Sequence, residues 1–429
     1  MNARDFALIE LDAKALPLWP ARLVRGRSSD HGPPADPRDL ALAEQLITGV
    51  VKNLRPLRYL IHHYSGRSLL GIDPLVQKIL AIGLYQVRFL DRIPAHAAVD
   101  EAVEQAKRFG HGKAAGFVNA VLRRATREGP PATPDRGRNP QGYAEMVLSH
   151  PPELFRRLVG LLGVADALRF CEHDHAEPPT IVRLFRGGSA GQLAKAGVVV
   201  RPHEQAGMFV VEGAKRSTLA EWAEGGIAQV QDPTAAMVAE QCDVHSGQRV
   251  LDRCAGLGTK TLQLHQRLEG SGVVVAVDAS EERCGRLREL IRLRGLTGIA
   301  VHHASMLGQI KDALPESFDR VLVDAPCSNS GVLARRPEAI YSQTDKQLKS
   351  LERLQSEILH DTARWVAPGG LLVYGTCSIW PEENGDRVAE FLSVRADYEK
   401  VRDQTTWPSL EDEPTRYRDG GYFAVLRRR

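Results

Sequence analysis

Two of the six cysteines in this chain stand where a nucleophile could work. Cys327 lies in VLVDAPCSNSG and Cys377 in LVYGTCS, each one to three residues past an apolar run and inside a turn of glycine, proline and serine. A structural cysteine packs as a small hydrophobe, whereas a thiol in a polar turn is open to reaction. Cys171, Cys242 and Cys284 read as core residues, and Cys254 lies in a glycine-bearing turn where its backbone matters more than its thiol. No close Cys-x-x-Cys pair occurs, so no metal site is expected.

A pair of thiols suits one chemistry in particular. Carbon 5 of a cytosine is a poor nucleophile until something adds to carbon 6. A thiolate that adds there makes the ring enamine-like and able to attack a methyl sulfonium. The adduct must then lose the carbon-5 proton and expel the thiol, which calls for a base, and a second thiol can assist. Position alone lets either cysteine take either part.

The segment VLDRCAGLGTKT offers a place for the methyl donor. Gly256 and Gly258 allow a tight turn and close approach of a ligand. The helix that follows presents free amides and a positive dipole end, suited to a carboxylate or phosphate. Asp278 ends the apolar run VVVAVD about twenty residues later, where an acidic side chain can accept from ribose hydroxyls. These features imply a nucleoside-containing cofactor. The turn lacks the third glycine of a dinucleotide fingerprint, which counts against an NAD enzyme.

The elements that must position these residues can be read from periodicity. From residue 233 onward strands alternate with helices: Arg249 to Asp252, Val273 to Asp278, Ile299 to His302, Phe318 to Asp324 and Leu371 to Tyr374 read as strands, with helices over Glu281 to Arg294 and Leu348 to Val366. This pattern predicts an α/β, Rossmann-like domain over 233–429, with ligands beyond the carboxyl ends of its strands. Residues 1–128 predict an all-helical domain, with Asp73-Pro74 as a helix start. Residues 129–142, GPPATPDRGRNPQG, read as a linker. Residues 143–232 read as a small mixed α/β subdomain, with strands at Thr180 to Phe185 and Met208 to Val211.

With 43% hydrophobic and 25% charged residues, the composition is that of an ordinary globular protein. No apolar run reaches the length of a membrane span, and Met1 to Glu10 lacks the pattern of a secretory signal, so no disulfide framework and a cytoplasmic monomer are expected. The net charge of +3 excludes a chain whose whole surface grips nucleic acid. Contact with RNA would fall to local patches: Arg22, Arg25 and Arg27; Arg123, Arg124 and Arg127; or Arg427, Arg428 and Arg429.

DAPCS followed by GVLARRPE, together with TCSIWPEENGDRVAEFL, resembles the RsmB/NOP/Sun family of RNA 5-methylcytosine methyltransferases. IGLYQVRFLDRIPAHAAVDEAVEQAKRFGHGKAAGFVNAVLRRA is similar to the NusB-like RNA-binding domain at the front of the family's bacterial 16S ribosomal RNA member. SHPPELFRRLVGLLG, VQDPTAAMVAE and GGYFAVLRR also match, so the resemblance covers nearly the whole chain. It implies an S-adenosylmethionine-dependent enzyme acting on 16S ribosomal RNA or a small-subunit assembly intermediate. Cys377 would be the nucleophile, Cys327 would assist product release, and Asp324 would contact the target base or lie near the cofactor's sulfonium end. Cys254, Ala255, Gly256, Leu257, Gly258, Thr259 and Lys260 would hold the methionine part of the cofactor, and Asp278 its ribose. The chain departs from the family where CAAPGGKT becomes CAGLGTKT, where Ser305 stands in place of an adenine-contacting Asp, and where SGTG becomes SNSG. It also lacks the family's Arg-Val-Asn run in the middle subdomain, reading IVRLFRG. Two other readings compete: a transfer RNA methyltransferase of the same chemistry, and a non-catalytic RNA-binding assembly factor.

Overall fold

The computed structural model describes residues 1–13, 32–194, 197–306, 317–410 and 413–429, so the patch Arg22, Arg25 and Arg27 lies outside the described residues. The chain divides into two compact units, Met1–Ala176 with Arg336–Ser342, and Glu177–Arg335 with Gln343–Arg429.

The first unit is helical: α1 (Ala3–Ala13), α2 (Pro37–Lys52), α3 (Leu54–Ser65), α4 (Pro74–Phe89), α5 (Ala95–Arg108), α6 (Ala115–Glu128), α7 (Pro140–Met146) and α8 (Pro152–His175). The expected start at Asp73-Pro74 is present: the Asp73 carboxylate accepts from the backbone N–H of Leu75 (2.8 Å) and Val76 (3.3 Å). Helix α4 is the central element, because Leu75, Val76, Ile79, Leu80, Ile82 and Leu84 are all buried. Its neighbours meet it through single apolar stripes such as Val118, Val121 and Leu122 of α6. Helix α8 kinks at Gly163, which has φ +76°.

This division corrects the boundary expected after residue 142. The linker composition of 129–142 is real, but α7 and α8 bury Ala144, Leu154, Phe155 and Leu158 and belong with the helical unit. The segment Arg336–Ser342 joins them: the Tyr341 hydroxyl donates to Val51 O (2.9 Å) and lies 2.8 Å from Ser149 Oγ.

The second unit opens with a four-stranded antiparallel sheet in the order β2-β3-β1-β4, built from β1 (Thr180–Leu184), β2 (Val199–Pro202), β3 (Met208–Glu212) and β4 (Ala228–Val230). It carries α9 (Ala190–Leu193) and α10 (Arg216–Glu224). The main sheet has β5 (Arg249–Asp252), β6 (Val273–Asp278), β7 (Ile299–His303), β8 (Phe318–Asp324), β9 (Val366–Thr376), β10 (Tyr398–Thr406) and β11 (Gly421–Arg428). Helices α11 (Pro233–Glu240), α12 (Thr259–Arg267), α13 (Glu281–Leu293), α14 (Asp345–Ala363) and α15 (Gly385–Val394) accompany it.

The strand order is β10-β11-β9-β8-β5-β6-β7. Strands β9, β8, β5, β6 and β7 run parallel, as the alternation requires, while β11 and β10 add antiparallel strands that the sequence reading did not mark. The core is fed by continuous apolar runs, with Val275, Val277, Val321, Val323, Leu372 and Tyr374 among its buried members. Chain order reverses between β5 and β8, the switch point at which open sheets of this kind bind ligands. Among the described residues no helix is long and apolar enough to cross a membrane.

Candidate active site

Strands β8 and β9 are neighbours, and Asp324 is in register with Gly375. Both strands therefore run out at the same edge, and the turns that follow are forced together. The Sγ atoms of Cys327 and Cys377 lie 3.2 Å apart. A hydrogen bond with Cys377, burial and the nearby negative groups, Glu383 among them, push the Cys327 thiol well above its ordinary range. The Cys377 thiol also reaches Asn329 Oδ1 at 3.2 Å, and Asn329 Nδ2 donates to Cys327 O at 3.2 Å.

The cofactor-type turn follows β5. Gly256 (φ +58°) and Gly258 (φ +88°) are both left-handed. A Cβ on Gly258 would fall 2.2 Å from Leu287 Cδ1, so only glycine lets α12 start this close to α13, whereas a Cβ on Gly256 would stand in open space. The backbone face at Gly256 is therefore open to a ligand. Asp278 fixes this turn from β6, accepting from Gly256 N (2.8 Å) and Ser280 N (2.9 Å). A carboxylate offers about four acceptor positions, so Asp278 retains capacity for a ribose hydroxyl. Burial pushes the Cys254 thiol up to about 12, which makes it unreactive.

Across the switch point, Lys260 Nζ at the start of α12 donates to Asp324 Oδ2 at 2.7 Å. Burial pulls the Lys260 ammonium down, but the Asp324 carboxylate outweighs it and holds the proton more tightly than on an ordinary lysine. Behind them Asp252 is fully buried, with one oxygen accepting from Thr261 Oγ1 (2.6 Å) and the other, Oδ1, without a partner. Burial pushes its carboxyl up to about 7. An open glycine backbone, helix amides, a buried orphan acceptor and a carboxylate at the next strand end form a donor and acceptor set that fits an amino-acid–nucleoside cofactor.

The structure thus brings Cys327, Cys377 and Asp324 to adjoining strand ends, with Cys254–Lys260 and Asp278 across the switch point and Lys260 bonded to Asp324. Ser305 is exposed, its Oγ 2.8 Å from His303 Nδ1. The other basic patches are partly tied up: Arg124 pairs with Glu128, Arg428 donates to Val366 O, and Arg429 pairs with Glu399. Cys171, Cys242 and Cys284 are buried, as expected. Sequence reasoning missed Asn329, Thr261 with Asp252, and Glu383. Of these only Asn329 left a signal, the change of SGTG to SNSG, and it stands at φ +60° in the structure.

Known proteins resemble this chain over most of its length. Residues 239–416 match the model of the family described as 16S rRNA methyltransferase RsmB/F, and residues 13–127 match that of the NusB family. The ribosomal RNA small subunit methyltransferase B of Vibrio cholerae is 33% identical over 405 residues, covering 91% of this chain and 90% of that protein. Its counterpart in Pseudomonas putida is 32% identical, covering 91% of each. The solved structure of PH0851 superposes with a TM-score of 0.78 at 21% identity over 99% of both chains, a likeness of fold.

Proposed function

Because this chain belongs to the RsmB/F family of 16S rRNA methyltransferases, we propose that it methylates carbon 5 of a cytosine in small-subunit ribosomal RNA through a covalent adduct on Cys377. The observation that carries this reading is the pair of thiols 3.2 Å apart at the ends of two neighbouring strands. Cys377 adds to carbon 6 of the ring and makes carbon 5 nucleophilic. S-adenosylmethionine, when bound, supplies the electrophilic methyl group.

The turn Cys254–Lys260 orients the methionine part, with Asp278 on the ribose. Lys260, the last residue of that turn, is bonded to Asp324 (2.7 Å), and Asp324 faces the target base or the sulfonium end. Cys327, its Sγ 3.2 Å from that of Cys377, serves the closing steps. A base takes the carbon-5 proton, the electrons of that C–H bond restore the ring double bond, and the bond from carbon 6 to Cys377 breaks with its electron pair returning to the Cys377 sulfur. The NusB-like unit supports ribosomal RNA as the substrate.

Bisulfite sequencing of ribosomal and transfer RNA from a deletion strain tests the assignment. One cytosine in 16S ribosomal RNA is expected to lose its mark and to regain it with the intact gene but not with Cys377→Ala. A lost mark in transfer RNA would overturn the substrate. Absence of S-adenosylmethionine binding by calorimetry at millimolar concentration would favour an assembly factor instead.

A further inference from the structure

We propose that Glu383 is a positioning residue that holds Cys327 and Cys377 in mutual register through the serine that follows each of them. The proposal rests on the two-thiol reading above. Glu383 is fully buried in the short turn after β9, and its own carbonyl accepts from the Tyr374 hydroxyl at 2.7 Å, which anchors it to that strand. Its carboxylate receives four donors. Oε1 accepts from Ser328 N (2.8 Å) and Gln355 Nε2 (3.0 Å), and Oε2 accepts from Ser328 Oγ and Ser378 Oγ, both at 2.5 Å.

Ser328 directly follows Cys327 and Ser378 directly follows Cys377. A single side chain thus grips both reactive turns one residue away from their sulfur atoms. The grip extends further: Gln355 Nε2 also donates to Pro326 O (3.0 Å), just before Cys327, and Ser378 Oγ lies 2.9 Å from Ser330 Oγ. Backbone groups also cross between the turns, Gly331 N donating to Cys377 O (2.9 Å) and Ile379 N to Ser330 Oγ (3.0 Å), but Glu383 takes donors from the serine beside each thiol. Its negative charge also contributes to holding Cys327 in its thiol form.

The test compares full-length wild type, Glu383→Ala, Glu383→Gln and Ser378→Ala. Loss of the clamp should lower kcat about a hundredfold in Glu383→Ala, the cost of misplacing reacting groups by about an ångström. KM for S-adenosylmethionine and for RNA should stay within about twofold, because neither ligand's contacts change. Glu383→Gln keeps the shape and one accepting oxygen while the serine hydroxyls can turn to accept, so it should recover at least about tenfold of the loss.

A second readout bypasses activity. In a glutathione redox buffer the two thiols react with one oxidised glutathione to give the Cys327–Cys377 disulfide and two reduced glutathiones. Glu383→Ala should need a buffer at least about tenfold more oxidising than wild type does to close the pair. If Glu383→Ala fails to fold, Glu383→Gln and Ser378→Ala carry the test, with smaller shifts in the same direction. Wild-type kcat and wild-type disulfide equilibrium in the folded variants would overturn the proposal. So would a parallel rise of both KM values with kcat preserved. If Cys377→Ala still methylates, the two-thiol reading itself fails, which is a different outcome from an active Glu383→Ala beside an inactive Cys377→Ala.

Discussion

Replacing Asp252 by Asn should change stability in a way that depends on pH. Asp252 is fully buried at the end of β5, and burial lifts its carboxyl from the usual value of 3.8 up to about 7. A raised acid holds its proton in the folded state over a range where the unfolded chain has lost it. The folded state then binds more protons, so stability falls as pH rises from about 4 to about 7 and stays low above that. A shift of about three pKa units corresponds to roughly 4 kcal/mol of penalty at pH 8.5 and roughly 2 kcal/mol at pH 5.5.

Asparagine carries no such penalty. It can still accept from Thr261 Oγ1, but it buries an amide N–H without a partner at a cost of about 1–3 kcal/mol. Asp252→Asn should therefore gain about 2 kcal/mol relative to wild type between pH 5.5 and pH 8.5, moving from near neutral to stabilising. Urea denaturation followed by tryptophan fluorescence reads this unit, since Trp222, Trp365, Trp380 and Trp407 all lie in it. A difference between variant and wild type that stays flat over that range would refute the reasoning.

Other substitutions separate packing from charge. Gly258→Ala forces a Cβ into Leu287 at a left-handed position, and should cost about 1–3 kcal/mol of stability and raise the S-adenosylmethionine Kd at least about tenfold by calorimetry. Arg335 pairs with Asp419 (2.7 Å) and Asp232 (3.6 Å), and Arg335→Met would strand two buried carboxylates, lowering stability by about 3 kcal/mol in urea titrations. Burial, with Asp419 beside it, already pushes Asp232 up to about 7, and removing the guanidinium raises it further. The Arg335→Met loss should therefore be greater at pH 8 than at pH 5.5.

Much of this arrangement was legible before any coordinates. Strands β5, β6 and β8 fell on the expected residues because a parallel strand buried on both faces is an apolar run ended by a turn. Strand β10 was not legible: YEKVRDQTT exposes most of its side chains, and only pairing with β11 makes it a strand. Strand β11 hid in plain sight, since GYFAVLRR was read as a family segment and Arg427 to Arg429 as a surface patch. The thiols were legible because each ends a strand, but their 3.2 Å approach depends on register between β8 and β9, which sequence does not disclose. Glu383 was invisible for a similar reason. A glutamate in PEEN looks like a solvated charge until the fold buries it among four donors.

The division of labour between the thiols is tested most directly by incubating each cysteine variant with S-adenosylmethionine and small-subunit ribosomal RNA, then resolving the products on a denaturing gel. Cys377→Ala should yield neither 5-methylcytosine nor a covalent species. Cys327→Ala should accumulate a protein–RNA adduct of retarded mobility, because Cys377 still adds to the ring but is not released. Normal methylation by Cys377→Ala, or an adduct formed by Cys377→Ala and not by Cys327→Ala, would contradict the account.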